Sequence, residues 1–346
     1  MCTAISLSAQ NHYFGRNLDL EYSYEESVVI TPRNYNFSFR HQNPLPTHHA
    51  IIGMAYICYN YPLYYDATNE VGLSMAGLNF PADAYYFPSR TSYDNITPFE
   101  LIPWVLCQCE TIGEACLLLE KTNILAESFS HDLPLSPLHW MISDKTGSLT
   151  VESTKKGLSV YTNPVGVLTN SPTFDMQLFH LNNYMNLSNT APENHFSNAL
   201  KLRQYSNGMG ALGMPGDWSS QSRFVKVAFL NANAVCEDSE EDCISQFFHI
   251  LDTVSHPRGC VVMNPTHNPH DTKNLSTRPD CAPNKPSTKY EITLYSSCCN
   301  TEKGIYYYKT FHNNQISAVD LRRENLDSYA LISYPLRTEQ QIFWQN

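Results

Sequence analysis

The sequence predicts an α+β fold of layered antiparallel sheets covered by helices, and three observations predict it. Runs of period-2 alternation cluster at the start of the chain and return at its end. Runs of helical period lie between them in groups. Nowhere does one strand alternate with one helix in the manner of a parallel βαβ sheet. No composition break resembles a linker, so the 346 residues are read as one domain over 1–346.

The elements follow in order. Residues 2–7, CTAISL, alternate, with Thr3, Ile5 and Leu7 on one face and Cys2, Ala4 and Ser6 on the other. SAQNH supplies turn chemistry, and YFGRNLD reads as the returning strand of a hairpin. SVVIT, HAIIGMAY, LYYDAT and VGLSMAGLNF continue as strands, so the first quarter reads as a β meander. FELIPWVLCQCE and TIGEACLLLEKT then take helical spacing, the second opening with Thr111 and Glu114 in capping-box spacing. LHWMIS and SLTVES flank the turn DKTG as a hairpin, extended by GLSVYT and VGVLTN. FDMQLFHLNNYM, SRFVKVAFLNANAV and EEDCISQFFHILDTV are amphipathic helix candidates. A polar, proline-rich stretch over 264–287 is expected to be a long loop, followed by strands in KYEITLYSS, GIYYYKTF and QISAVDL.

Charge and composition exclude several function classes. With 33 acidic against 22 basic residues the net charge is -11, and no basic run is long enough to track a phosphate backbone, which argues against nucleic acid as a partner. No apolar run approaches the ~18 residues of a membrane span, and the start lacks a secretory signal, so a cytoplasmic location without membrane insertion is expected. In that compartment the 11 cysteines are expected to be free thiols, and the sequons at Asn36, Asn95, Asn186 and Asn274 unmodified. Cys107 with Cys109, Cys298 with Cys299, and His267 with His270 lack the paired knuckles of a zinc site, so no metal is expected. GMGALG matches G-x-G-x-x-G, but it follows ALKLRQYSN, polar and more helical than strand-like, and runs into Pro215. It is read as a flexible loop and no nucleotide cofactor is expected.

Chemistry concentrates at Cys2. Removal of Met1 ahead of a small residue leaves Cys2 with a thiol and a free α-amine, titrating near ~8.5 and ~7.7–8.0. One residue then offers a nucleophile and its own base. Arg16 and Asp19 lie on the neighbouring strand. A cation beside sulfur stabilises the thiolate, and an acid beside an amine orients it; alone, the pair also reads as a strand-end ion pair. Asn79 and Asn170 each read alone as turn formers at strand ends.

Together MCTAISL, YFGRNLD, ITPR, GLSMAGLNFP, LTNSPTFD and LGMPGDWSSQSRFV, spread over residues 1 to about 227, resemble the choloylglycine hydrolase family of N-terminal nucleophile hydrolases. The resemblance implies the four-layer αββα sandwich of the Ntn-hydrolase fold, with Cys2 as nucleophile. It implies that Arg16 and Asp19 position the substrate and α-amine, that the Asn79 backbone amide and the Asn170 side chain hold the oxyanion, and that Arg223 is a further active-site arginine. Cys2, Arg16 and Asn79 are also expected to meet the substrate. A homotetramer is implied as well. Of the two activities, the family's bile salt hydrolases carry asparagine where this chain has Asn79, and its penicillin V acylases carry tyrosine. Hydrolysis of glycine- or taurine-conjugated bile salts is therefore expected, with penicillin V acylase and a non-catalytic amphiphile-binding protein as the other readings. The tyrosines of CYNYPLYY and DAYYFPS suit an amphipathic wall. Leu20 stands where the family carries a Trp-like residue.

Overall fold

The computed structural model describes residues 1–263 and 289–346. The strands and helices are β1 (Cys2–Ser8), β2 (His12–Leu20), β3 (Ser27–Thr31), β4 (Ile51–Cys58), β5 (Tyr61–Asn69), β6 (Ser74–Asn79), β7 (Asp94–Ile96), α1 (Leu101–Leu106), α2 (Ile112–Leu119), β8 (Thr122–Ile124), β9 (Leu138–Asp144), β10 (Gly147–Thr154), β11 (Gly157–Thr162), β12 (Val167–Leu168), α3 (Phe174–His180), α4 (Ser220–Ala232), α5 (Glu240–Asp252), β13 (Ile292–Asn300), β14 (Ile305–Thr310), β15 (Asn313–Asp320) and β16 (Ile332–Pro335). A six-stranded sheet runs β12-β1-β2-β13-β14-β15. An eight-stranded sheet runs β11-β10-β9-β6-β5-β4-β3-β16. Every pairing in the two is antiparallel, and the short β7–β8 pair is parallel.

Period-2 alternation builds the layers. In the larger sheet Val28, Ile30, Ile52, Met54, Ala76, Leu78 and Met141 join the cluster that holds Cys2 and Ala4. The alternate residues Val29, Ile51, Ala55, Met75, Trp140 and Ile142 pack with Leu101, Val105, Leu106 and Leu119 of α1 and α2. On the smaller sheet α4 rests on β1 and β12, and α5 on β2 and β13, while β1 and β2 meet β6 across the sheet interface. The order is helix, sheet, sheet, helix, as expected. Gly15 brings β13 close to β2: a Cβ there would lie 2.0 Å from the Ser297 carbonyl oxygen.

The differences are instructive. The opening meander is split, because β1–β2 enter one sheet and β3–β6 the other; alternation reports a face and not a partner. VGVLTN is reduced to β12, which leaves the neighbouring hairpins to pair with β1. Residues 199–207 form no helix, and β16 pairs with β3 from a C-terminal segment too short to signal itself. Thr111 caps α2 through its oxygen and the Glu114 N–H at 3.2 Å, but Glu114 reaches back to the Glu110 N–H, one residue short of a closed box. Gly208 and Gly213, at φ 81° and 93°, flank a single 3-10 turn, so GMGALG opens no helix for a phosphate. The 264–287 loop, with His267, His270 and Asn274, lies outside the described residues.

Candidate active site

Strand register sorts the site residues. Cys2 pairs with Leu18 and Ala4 with Arg16, so Cys2, Arg16 and Leu18 share the face turned to the larger sheet. Thr3, Asn17 and Asp19 share the other. The Asn17 amide donates to the Leu251 carbonyl on α5 at 2.9 Å, which fixes that face against the helices.

The backbone N–H of Cys2 donates to Asn170 Oδ1 at 3.0 Å. Arg223 Nη2 donates to the same oxygen at 2.6 Å, Nη1 donates to Thr3 Oγ1 at 2.6 Å and to the Cys2 carbonyl, and Nε donates to the Trp218 carbonyl at 2.9 Å. Asn170 Nδ2 donates to the Asn79 carbonyl at 2.7 Å. Two donors on Oδ1 and one acceptor on Nδ2 set the orientation of the Asn170 amide. Asn79 thus meets Asn170 through its carbonyl, and one Nδ2 proton remains for another acceptor.

The local sequence holds Asn170 in place. Its N–H donates to Ser220 Oγ at 2.9 Å, in the first turn of α4, where Ser219 caps the helix by accepting from the Ser222 N–H. The preceding carbonyl, of Thr169, meets His139 Nε2 at 3.0 Å. His139 Nδ1 lies 3.1 Å from Glu152 Oε1, and Phe80 stacks on the ring at 4.2 Å. Sequence reasoning missed His139 and Glu152. Their signal was a charged or polar residue at a buried position of an apolar strand, both side chains being fully enclosed.

Arg16 is completely buried. Nη1 donates to the Tyr65 carbonyl at 3.0 Å and to the Gly77 carbonyl, and Nε to the Asn17 carbonyl at 3.3 Å, while Nη2 has no hydrogen-bond partner among the described residues. Burial opposes its charge, but the surroundings of Cys2, Tyr295, Asp66 and Asp19 outweigh this and raise its pKa. Asp66, also unanticipated, is pushed up by burial; Arg16 and hydrogen bonds from Tyr295, Tyr306 and Ser297 pull the other way. Arg223 differs: burial dominates and lowers its pKa.

The Asp19 carboxylate does not face the thiol. Oδ1 accepts from Thr293 Oγ1 at 2.6 Å, and Oδ2 lies 3.9 Å from His256 Nε2. His256 Nδ1 lies 3.7 Å from Glu291 Oε1. Among the described residues this trio is the group whose donors converge as a metal site would. The Met1 ammonium borders it, donating to Glu291 Oε1 and, at 2.7 Å, to the Asp19 main-chain carbonyl. A cavity of about 200 Å³ lies beside Arg16, sharing Tyr65 and Gly77 with it and lined further by Tyr24, Tyr56, Phe99 and Phe129. Its wall is mostly aromatic and apolar, as an amphiphile requires. Cys107, Cys109, Cys298 and Cys299 are buried free thiols whose pKa values burial raises, which keeps them protonated and inert.

The profile of the linear amide C-N hydrolases, choloylglycine hydrolase family, matches residues 2–334. A bile salt hydrolase/transferase of Lactiplantibacillus plantarum is 50% identical over 347 residues, covering 100% of both chains. One of Clostridium perfringens is 39% identical over 342 residues, covering 96% of each. The crystal structure of a mutant conjugated bile acid hydrolase from Clostridium perfringens superposes with a TM-score of 0.85 at 38% identity, covering 100% of both chains. Penicillin V acylase from Agrobacterium tumefaciens shares the fold, with a TM-score of 0.73 at 18% identity, covering 98% of this chain and 92% of that one. With Cys2, Arg16, Asp19, Asn79, Asn170 and Arg223 gathered at one end of the first hairpin, this chain belongs to the choloylglycine hydrolase family.

Proposed function

We propose that this protein hydrolyses the amide bond of glycine- or taurine-conjugated bile salts through Cys2, once Met1 is removed. The observation that carries the reading is the seat of the Cys2 nitrogen on Asn170 Oδ1, beneath an arginine clamp, in a chain half identical from end to end to a bile salt hydrolase/transferase. The freed α-amine takes the thiol proton, and the thiolate attacks the amide carbonyl. The oxyanion is met by the second Nδ2 proton of Asn170 and by the Asn79 N–H, donors of a kind worth ~3 kcal/mol each in acyl transfer. The ammonium gives its proton to the departing glycine or taurine, leaving a thioester on Cys2. Water, deprotonated by the amine, then releases the bile acid.

Arg16 Nη2 is the unspent donor beside the apolar cavity, suited to a polar group of the substrate. Asp19 acts from the far side, through its main-chain pairing at the strand end and its charge. The aromatic wall takes the steroid.

The test is amino acid release from glycocholate and taurocholate, set against side-chain release from penicillin V, by protein whose first residue is verified as Cys2 by mass spectrometry. Faster turnover of the conjugated bile salts is expected; penicillin V as the better substrate would overturn the choice. The chain acts in this reading as one cytoplasmic domain without organic cofactor or metal, assembled as a homotetramer, which light scattering checks. No helix among the described residues is long and apolar enough to cross a membrane.

A further inference from the structure

The cluster around the Met1 ammonium outlasts Met1. Glu291 enters it from the segment before β13, His256 from the segment after α5, Asp19 from β2, and Arg223 approaches from α4 while Cys2 supplies the thiol from β1. Both ring nitrogens of His256 and Asp19 Oδ2 are buried without hydrogen-bond partners among the described residues. Trp218, whose carbonyl accepts from Arg223, packs edge-on against the His256 ring. Fully enclosed polar atoms with spare capacity, gathered next to an ammonium that Glu291 holds, form a cation seat.

Cleavage after Met1 moves the ammonium one residue along the strand. Successive nitrogens of extended chain are about 3.5 Å apart, so Glu291 Oε1 stands within one water of the Cys2 nitrogen. Asn170 keeps one of the three N–H bonds of the new ammonium, and the two gained on cleavage are free for the side where Met1 lay. We propose that Glu291, with His256 behind it, is a positioning residue for the Cys2 α-amine, holding its ammonium form while the thiolate attacks and until the leaving amine takes the proton. The proposal rests on the reading of Cys2 as an N-terminal nucleophile. The amine gains a proton as the thiol loses one, so a carboxylate beside the nitrogen favours the ammonium–thiolate pair over the neutral one. His256 spaces the two carboxylates as a neutral imidazole, since burial lowers its pKa to about 4. A second cavity, about 360 Å³ and lined by Ser255, His256, Thr293, Lys309 and Phe311, opens on the helix side of the smaller sheet.

The experiment follows the amine directly. Protein labelled with 15N-cysteine and verified to start at Cys2 is titrated by NMR without substrate, as wild type, Glu291→Gln and Glu291→Asp. Loss of the charge is expected to lower the amine pKa by about one unit, and the shorter aspartate by less than half of that. The basic limb of kcat/KM for glycocholate moves down in step, because the ammonium that protonates the leaving group is lost at lower pH. An amine pKa within about 0.2 of wild type in a folded Glu291→Gln protein overturns the proposal, as only a structural role remains. Should Glu291→Gln not fold, Glu291→Asp against wild type carries the same test at smaller amplitude. A shifted amine without bile salt turnover sinks the substrate reading alone; turnover with an unshifted amine sinks this proposal alone.

Discussion

The two ends of the β1–β2 hairpin are both buried and both polar, yet they are built differently. At the turn end His12 is enclosed with both ring nitrogens engaged, Nδ1 at 2.9 Å from Thr301 Oγ1 and Nε2 at 2.9 Å from Ser6 Oγ and 3.1 Å from Ser143 Oγ. At the open end the His256 ring is equally buried, and neither of its nitrogens, nor Arg16 Nη2 or Asp19 Oδ2, has a hydrogen-bond partner among the described residues. Burial lowers the pKa of both histidines to about 4. A saturated polar cluster ties two sheets together; spare capacity at this depth costs stability, and its place beside Cys2 fits the proposed use.

The contrast predicts a split between activity and stability. The largest effect short of the nucleophile is at Asn170: Asn170→Ala removes the seat of the amine and one oxyanion donor, and kcat/KM is expected to fall by about 10³-fold. It also strands the Arg223 Nη2 donor, so a loss of about 1–3 kcal/mol in urea denaturation accompanies it. Arg16→Gln is expected to lower kcat/KM by about 10²-fold, with fluorescence melting showing a smaller stability change than its burial suggests. The reason is that Asp66, already pushed up by burial, can take a proton when its counter-ion goes.

His12→Gln is the converse. It should leave kcat/KM within about twofold while lowering stability at pH 7 by about 1–2 kcal/mol. If it instead silenced the enzyme, the division between the two ends would fail.

Both histidines predict acid sensitivity. A histidine whose folded pKa is about 4, against 6.5 unfolded, binds a proton in the unfolded chain first, so stability falls as pH drops from 6.5 towards 4. Each contributes up to about 3 kcal/mol over that window, and His12→Gln is expected to flatten the dependence of the urea midpoint on pH between 7 and 5.

Much of this was legible in the sequence, and the limits have physical causes. Alternation in CTAISL put Cys2 on the face opposite Thr3, and the register with YFGRNLD brought Arg16 to Cys2's side. The same alternation placed Asp19 on the opposite face, so its carboxylate meets Thr293 and His256 and not the thiol. Asn79 and Asn170 carried weight only within their motifs; the structure adds that they touch. Glu291, His256 and Asp66 were not legible, because each acts from a segment distant in the chain and no local spacing marks a long-range convergence. Nor did period 2 reveal which sheet a strand joins, which is how the opening meander came to be divided.

The central claim is that the nucleophile is Cys2 and only after Met1 is gone. Its most direct test is the intact mass of protein acid-quenched during turnover of glycocholate, for wild type and Cys2→Ala. The account predicts that molecules beginning at Cys2 carry one cholyl group, that those retaining Met1 carry none, and that Cys2→Ala neither acquires the adduct nor releases glycine. Glycine release by Cys2→Ala at the wild-type rate, or an adduct on chains that still begin with Met1, would contradict it.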